Sequence, residues 1–302
     1  MSGNSARWLC AAAVAVAATV TVAAAANAES AAEGKELVVL GDSFTANTWD
    51  PLSTQQQCVR GQTAWPAQLS QLMGIYGPDQ VANTSCLGAS IDSGPGYTLA
   101  IEASDAAKLD AFGPRTELVT LQFGLNDRWS GSGLSLWEAM RQCVFDLAYG
   151  CGSDAVAQGR IPDSRAISGA AYADRIRPVV TYIRYYAPDA HIVLVGYPEL
   201  IQAEQDTVCL DFFGIAAFTQ PRGRTVVEYF NRMDQAQREA AAQLKLDFLD
   251  ARALTAGHGL CSPQPWVNGV FNPSVDIDGL PFHPSPTGDA VVAKALYERY
   301  GR

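Results

Sequence analysis

Glu36-Leu37-Val38-Val39-Leu40-Gly41-Asp42-Ser43-Phe44 is the stretch on which the reading of this chain turns. Leu37–Leu40 is an unbroken apolar run of strand length, the pattern of a strand buried on both faces of a parallel sheet. A serine just past such a strand sits where open α/β sheets place their ligands, so Ser43 is a candidate nucleophile. The competing reading is local: a serine after a strand often caps the next helix.

Outward from this strand, strand-like and helix-like segments alternate. Helical patterns are expected around Ala64–Met73 and Ile101–Ala111, then over Ser168–Tyr186, Thr225–Leu244 and Ser285–Tyr300. Between them Gln80–Asn83, Leu118–Phe123, His191–Val195 and Phe248-Leu249 read as strands. The alternation predicts an α/β fold, a parallel sheet with helices on both faces. No internal repeat or linker divides it. Three long connections remain, Thr45–Thr63, Trp129–Arg165 (with a short helix around Leu136–Leu147) and Ala253–Phe282. Connections of that length are usually functional or tied by disulfides. They carry Trp49, Trp129 and Trp266, which could line an apolar pocket or simply pack.

The first residues read as a secretory signal. Arg7 is the positive start, Leu9 to Ala26 is a small apolar stretch, and Ala26-Asn27-Ala28 is an Ala-x-Ala cleavage site. Cleavage is expected after Ala28, leaving residues 29–302 as a single domain; an uncleaved anchor fits less well with an alanine-rich stretch. Cys10 lies too early and lacks the flanks of a lipidated cysteine. The chain carries a formal net charge of −10 and a pI near 4.7, which argues against non-specific nucleic-acid binding.

Beyond the signal stand six cysteines, Cys58, Cys86, Cys143, Cys151, Cys209 and Cys261. An even number in an exported chain implies disulfides. Sequence neighbours are the favoured pairing: Cys58–Cys86, Cys143–Cys151 and Cys209–Cys261, all expected in loops. A metal centre is not indicated. There is no Cys-x-x-Cys, and the three histidines His191, His258 and His283 are far apart in sequence. Asp276-Ile277-Asp278-Gly279 could be half of a calcium loop, but the other ligands are missing.

Three further signals align with Ser43. Gly88 lies in Asn83-Thr84-Ser85-Cys86-Leu87-Gly88-Ala89, beyond the second strand, where a glycine lets backbone approach a ligand. Asn126 lies in Gly124-Leu125-Asn126-Asp127, beyond the third strand, and its amide could donate to a developing oxyanion. His283 lies in Pro281-Phe282-His283-Pro284, just before the last helix. Each is weak alone, since such turns are common. Together they place Ser43, Gly88 and Asn126 on one rim of the sheet.

Four blocks in this order resemble the SGNH (GDSL-type) serine hydrolases, over roughly residues 36 to 302. The six cysteines are similar to those of the secreted actinobacterial lipases and esterases of that group. The resemblance implies a flavodoxin-like three-layer α/β/α sandwich. It implies that Ser43 attacks an ester carbonyl, with His283 as general base and then acid. The Ser43 and Gly88 N–H groups and the Asn126 amide would form the oxyanion hole. No cofactor is called for. Asp42, Asp127, His191 and His258 read as structural.

The chain departs from the family at one position. An aspartate usually stands three residues before the histidine; here that residue is Leu280. A Ser–His dyad is expected, with the Leu280 carbonyl orienting the imidazole, and Asp278 or Asp276 as alternative third members. Other uses of the site are an acyltransferase or a glycan deacetylase; a secreted binding protein without catalysis would not need all four blocks. The α/β-hydrolase reading fails for want of Gly-x-Ser-x-Gly. Small-molecule or lipid esters are the expected substrates and a monomer the expected state; acyl length is not encoded in any motif.

Overall fold

A computed structural model describes residues 32–48, 58–94, 96–129, 131–214, 216–270 and 278–301. The expected signal segment, Trp49 and Asp276 lie outside the described residues.

The run after Glu36 forms β1 (Leu37–Gly41), with every residue buried. It is joined by β2 (Val81–Asn83), β3 (Leu118–Gln122), β4 (His191–Val195) and β7 (Asp247–Leu249) in a parallel five-stranded sheet of order β2-β1-β3-β4-β7. The register aligns Leu37 with Leu118, and Leu118 with His191, so strand carboxyl ends gather on one rim. Alternate residues feed two cores, as a period of two requires. Val38, Leu40, Val119 and Leu121 face α3 (Leu99–Lys108), α5 (Gly169–Tyr186) and α6 (Arg224–Leu244). Leu37, Val39 and Leu118 pack with Trp65 and Leu69 of α2 (Trp65–Met73) and Val292 and Leu296 of α8 (Pro286–Tyr300). Two helix layers around one sheet make the α/β/α sandwich. Sequence order reverses direction between β1 and β3, the switch point at which ligands bind in such sheets.

Local chemistry fixes the helix starts. Thr98, Ser135 and Ser168 cap α3, α4 (Leu136–Cys143) and α5 through their side chains. α8 begins with Ser285 as cap and Pro286 at its first position, where a missing N–H costs nothing.

Two features differ from expectation. The helix around Leu136–Leu147 stops at Cys143, because the Asp146 carboxylate accepts from the N–H groups of Ala148 and Tyr149 and turns the chain there. An antiparallel hairpin, β5 (Val208–Phe212) with β6 (Ala216–Gln220), occupies a stretch in which no strand was expected. Cys209 therefore lies in a strand and Cys143 ends a helix, rather than both lying in loops. The three disulfides are Cys58–Cys86, Cys143–Cys151 and Cys209–Cys261. A short helix, α7 (Ala251–Leu254), follows β7. No helix among the described residues is long and apolar enough to cross a membrane.

Candidate active site

Ser43 opens α1 (Ser43–Ala46), a single turn directly beyond β1. The cap of that turn is Asp42, whose carboxylate accepts from Phe44 N at 2.9 Å. Ser43 is thereby released from capping, and its hydroxyl lies 2.8 Å from His283 Nε2. Asp42 also accepts from the Tyr197 hydroxyl at 2.6 Å, and that hydroxyl accepts from Leu125 N at 3.2 Å. The chain ends of β1, β3 and β4 are thus stitched beneath the serine. Burial raises the Asp42 carboxyl from 3.8 to about 7.

Behind the imidazole is a carbonyl, and it belongs to Pro281. Nδ1 lies 2.9 Å from Pro281 O. This corrects the expectation of Leu280 by one residue. The Leu280 carbonyl instead accepts from Asn268 Nδ2 at 3.2 Å and from His283 N at 3.2 Å. Asp278 is not behind the ring either; its carboxylate accepts from the Thr63 hydroxyl at 3.0 Å. A carbonyl can only accept, so Nδ1 carries the proton of the neutral ring and Nε2 faces Ser43 with its lone pair. Burial lowers the His283 pKa from 6.5 to about 4, with the Pro281 carbonyl opposing weakly.

The base sits on irregular chain, and two asparagines hold it. Asn47 Nδ2 donates to Pro284 O at 2.8 Å and to Asp289 at 2.7 Å, while Asn47 Oδ1 accepts from Leu280 N at 3.1 Å. Asn268 brackets the same turn through both backbone groups: its N–H donates to His283 O at 2.8 Å and its C=O accepts from Phe282 N at 2.7 Å. Phe282 has φ of 64°, a left-handed conformation unusual for a phenylalanine, immediately before the histidine. Neither asparagine was expected in the site, because nothing local marks a residue whose partners lie far away in sequence.

Gly88 has φ of 72°, which favours glycine, and a Cβ there would meet no atom within 4 Å. The position thus demands glycine for its conformation; a close neighbour is not what excludes a side chain. Asn126 Nδ2 donates to Ala89 O at 2.9 Å, tying the third block to the second. Asp127 strengthens the tie by accepting from Ile91 N at 2.9 Å and from Ser93 Oγ at 2.9 Å, and it pairs with Arg175. Burial raises its carboxyl to about 6 in spite of that arginine. Gly88 and Asn126 line one cavity of about 240 Å³ together with Trp137.

Trp137 also borders a second cavity. Its ring stacks near His283 (centroids 5.8 Å apart, 15° between planes), with Phe44 4.2 Å from the imidazole. Beyond it opens an apolar cavity of about 200 Å³, lined among others by Met140, Leu200, Ile201, Leu210 and Phe282. Two of the tryptophans expected as pocket candidates, Trp129 and Trp266, lie elsewhere. Trp129 stacks with Tyr172 and has the Arg175 guanidinium over its ring, and Trp266 lies flat on His258 at 3.4 Å. His191 starts β4, at the opposite end of that strand, 3.5 Å from Asp247.

The chain is also similar to known proteins. The model of the GDSL-like lipase/acylhydrolase family matches residues 39–291. Lipase 1 of Streptomyces coelicolor is 25% identical over 263 residues, covering 86% of this chain and 84% of its own length. Among solved structures, phospholipase A1 from Streptomyces albidoflavus superimposes with a TM-score of 0.60 at 20% identity, covering 89% of this chain and all (100%) of that one. The extracellular lipase of Streptomyces rimosus gives 0.59 at 20% identity, covering 88% of this chain and 100% of its own.

Proposed function

The chain belongs to the GDSL-like lipase/acylhydrolase family and is a carboxylic ester hydrolase, and from that premise we propose that it works through a Ser43 acyl-enzyme with His283 as base. The observation that carries this reading is the 2.8 Å contact of Ser43 Oγ with an imidazole whose other nitrogen faces the Pro281 carbonyl. Ser43 Oγ attacks the ester carbonyl as its proton passes to Nε2. The oxyanion is held by the N–H groups of Ser43 and Gly88 and by the Asn126 amide, already oriented by Ala89. Collapse of the intermediate expels the alcohol with the proton from Nε2. Water, deprotonated by the same nitrogen, then releases the acid. The Pro281 carbonyl fixes the tautomer throughout.

The apolar cavity beside Trp137 takes the acyl chain in this reading, which favours chains longer than acetyl. The chain is exported, cleaved after Ala28, and residues 29–302 act as one monomeric catalytic domain. Support for export comes from the apolar leader with its Ala-x-Ala site and from three disulfides. The decisive experiment measures hydrolysis of p-nitrophenyl esters from acetate to palmitate by wild type and Ser43→Ala. Activity in both proteins, or in neither, would sink the serine mechanism. A mature protein whose N-terminus is not Glu29 would sink the assigned cleavage point.

A further inference from the structure

Beside the apolar cavity, two connections carry large apolar side chains into solvent. Phe145 is 51% exposed, Leu147 72% and Tyr149 59%, all within the segment closed by Cys143–Cys151; Phe213, in the β5–β6 turn, is 54% exposed. Grouped exposed apolar side chains on a folded protein mark a contact surface. These connections are held firmly. Gln220 Nε2 donates to Val144 O and Asp146 O, each at 3.0 Å, and Arg222 Nη1 donates to Ala148 O at 2.7 Å. The Phe145 ring packs 5.6 Å from Phe218 and 6.3 Å from Phe212, on the apolar face of the hairpin. At the turn, Phe213 N donates to Val270 O at 2.8 Å. The backbone that carries these apolar groups is therefore fixed at the surface.

Arg141 borders the cavity, and the charged groups on the rim itself are engaged by neighbours. Asp146, the sole ionisable side chain between Val144 and Ala148, spends its Oδ1 on the N–H groups of Ala148 and Tyr149, both at 3.0 Å. Arg160 lies over the Tyr149 ring, and Arg222 is bonded to backbone carbonyls. The whole chain carries −10, which opposes approach to an anionic surface. Phe145 belongs to the rim and to the cavity alike, and the cavity leads by Phe282 and Trp137 to His283. That continuity points to an occupant that bears the ester, in preference to a second copy of the chain.

We propose that the rim of residues 145–149, together with Phe213, docks on a zwitterionic or uncharged lipid surface, from which an acyl chain enters the cavity. The proposal rests on the ester-hydrolase mechanism above and adds the physical state of its substrate. Docking is driven by apolar area, so it is insensitive to salt.

The test uses phosphatidylcholine vesicles. Ser43→Ala protein, which leaves the lipid intact, is sedimented with them, with and without the added pair Leu147→Asp and Tyr149→Ser. In parallel, the pair alone and wild type are assayed on dissolved p-nitrophenyl acetate and on emulsified p-nitrophenyl palmitate. The pair is expected to lower vesicle partition and the palmitate rate by about tenfold or more, with acetate turnover and the unfolding midpoint preserved. Equal partition with and without the pair would overturn the proposal, as would tighter binding to anionic vesicles or a dimer that the pair dissolves. Wild type that docks but leaves acetate and palmitate intact would instead refute the ester mechanism while supporting the surface.

Discussion

The nucleophile and the base reach the same 2.8 Å contact by opposite means. Ser43 follows a strand whose every residue is buried, and a capped helical turn fixes it. His283 stands on a stretch without regular structure, where Asn47 and Asn268 satisfy the backbone groups that a strand or helix would have paired. Regular structure places a side chain through many cooperative bonds, so the loss of one is tolerated. A loop clamped by two asparagines, Asn268 through its backbone as well as its side chain, concentrates the same task in few bonds, and each is costly to lose.

That contrast can be tested from the largest effect downward. Ser43→Ala is expected to lower kcat by about 10⁴-fold or more with the unfolding midpoint unchanged, since the serine acts but does not hold; a shifted midpoint would mean it also supports the fold. Asn126→Ala should cost about 10²–10³ in kcat with little change in KM, as for one oxyanion donor. An equal loss in binding alone would remove it from that role. Asn268→Ala should reduce both stability, by roughly 1–3 kcal/mol, and kcat, whereas Tyr197→Phe beneath the serine should reduce only stability, by about 1 kcal/mol. Equal effects of the two on kcat would erase the difference between the regions.

The two regions also titrate in opposite senses. The His283 pKa is depressed from 6.5 to about 4, so the folded chain refuses a proton that the unfolded chain accepts. Its contribution to stability is complete above 6.5 and is lost as pH falls toward about 4; kcat/KM keeps its neutral base down to about 4 and falls below it. The Asp42 pKa is raised from 3.8 to about 7, so its contribution is complete below 3.8 and is lost as pH rises through about 7. Asp42→Asn, which keeps the cap, should flatten the dependence of the unfolding midpoint between those two values. An unchanged slope would show that Asp42 is ionised in the fold. The smallest effect is expected from Asp278→Asn, within about twofold in kcat, as for a surface polar change. A large loss would bring that carboxylate back behind the imidazole.

How far the sequence could be read follows the same division. The apolar runs at Leu37–Leu40, Leu118–Phe123 and His191–Val195 declared their strands, because a strand buried on both faces has a pattern that needs no partner to be recognised. Once the strands were known, Gly88 and Asn126 fell on the rim by position alone. The hairpin Val208–Gln220 stayed hidden because Leu210, Phe212 and Phe218 alternate with Cys209, Asp211 and Thr219 over only a few residues on each strand. Within a connection already crosslinked, that alternation was weak. The Pro281 carbonyl was missed by one residue because the backbone between Leu280 and His283 passes through the left-handed Phe282, and no propensity predicts where a carbonyl then points. Trp137 was passed over as part of a short helix, while the loop tryptophans drew attention; only the packing shows which of them meets the imidazole.

The reacting pair joins residues 240 positions apart, and the later one precedes α8, which packs on α2. Turnover therefore reports on the whole molecule. A refolding chain that has built its sheet but not yet seated its last helix has a nucleophile and no base. Activity should return in step with the slowest global signal, such as tryptophan fluorescence of the closed core, never with early secondary structure. Recovered ester hydrolysis can thus serve as a clock for the final docking event, read without any added label.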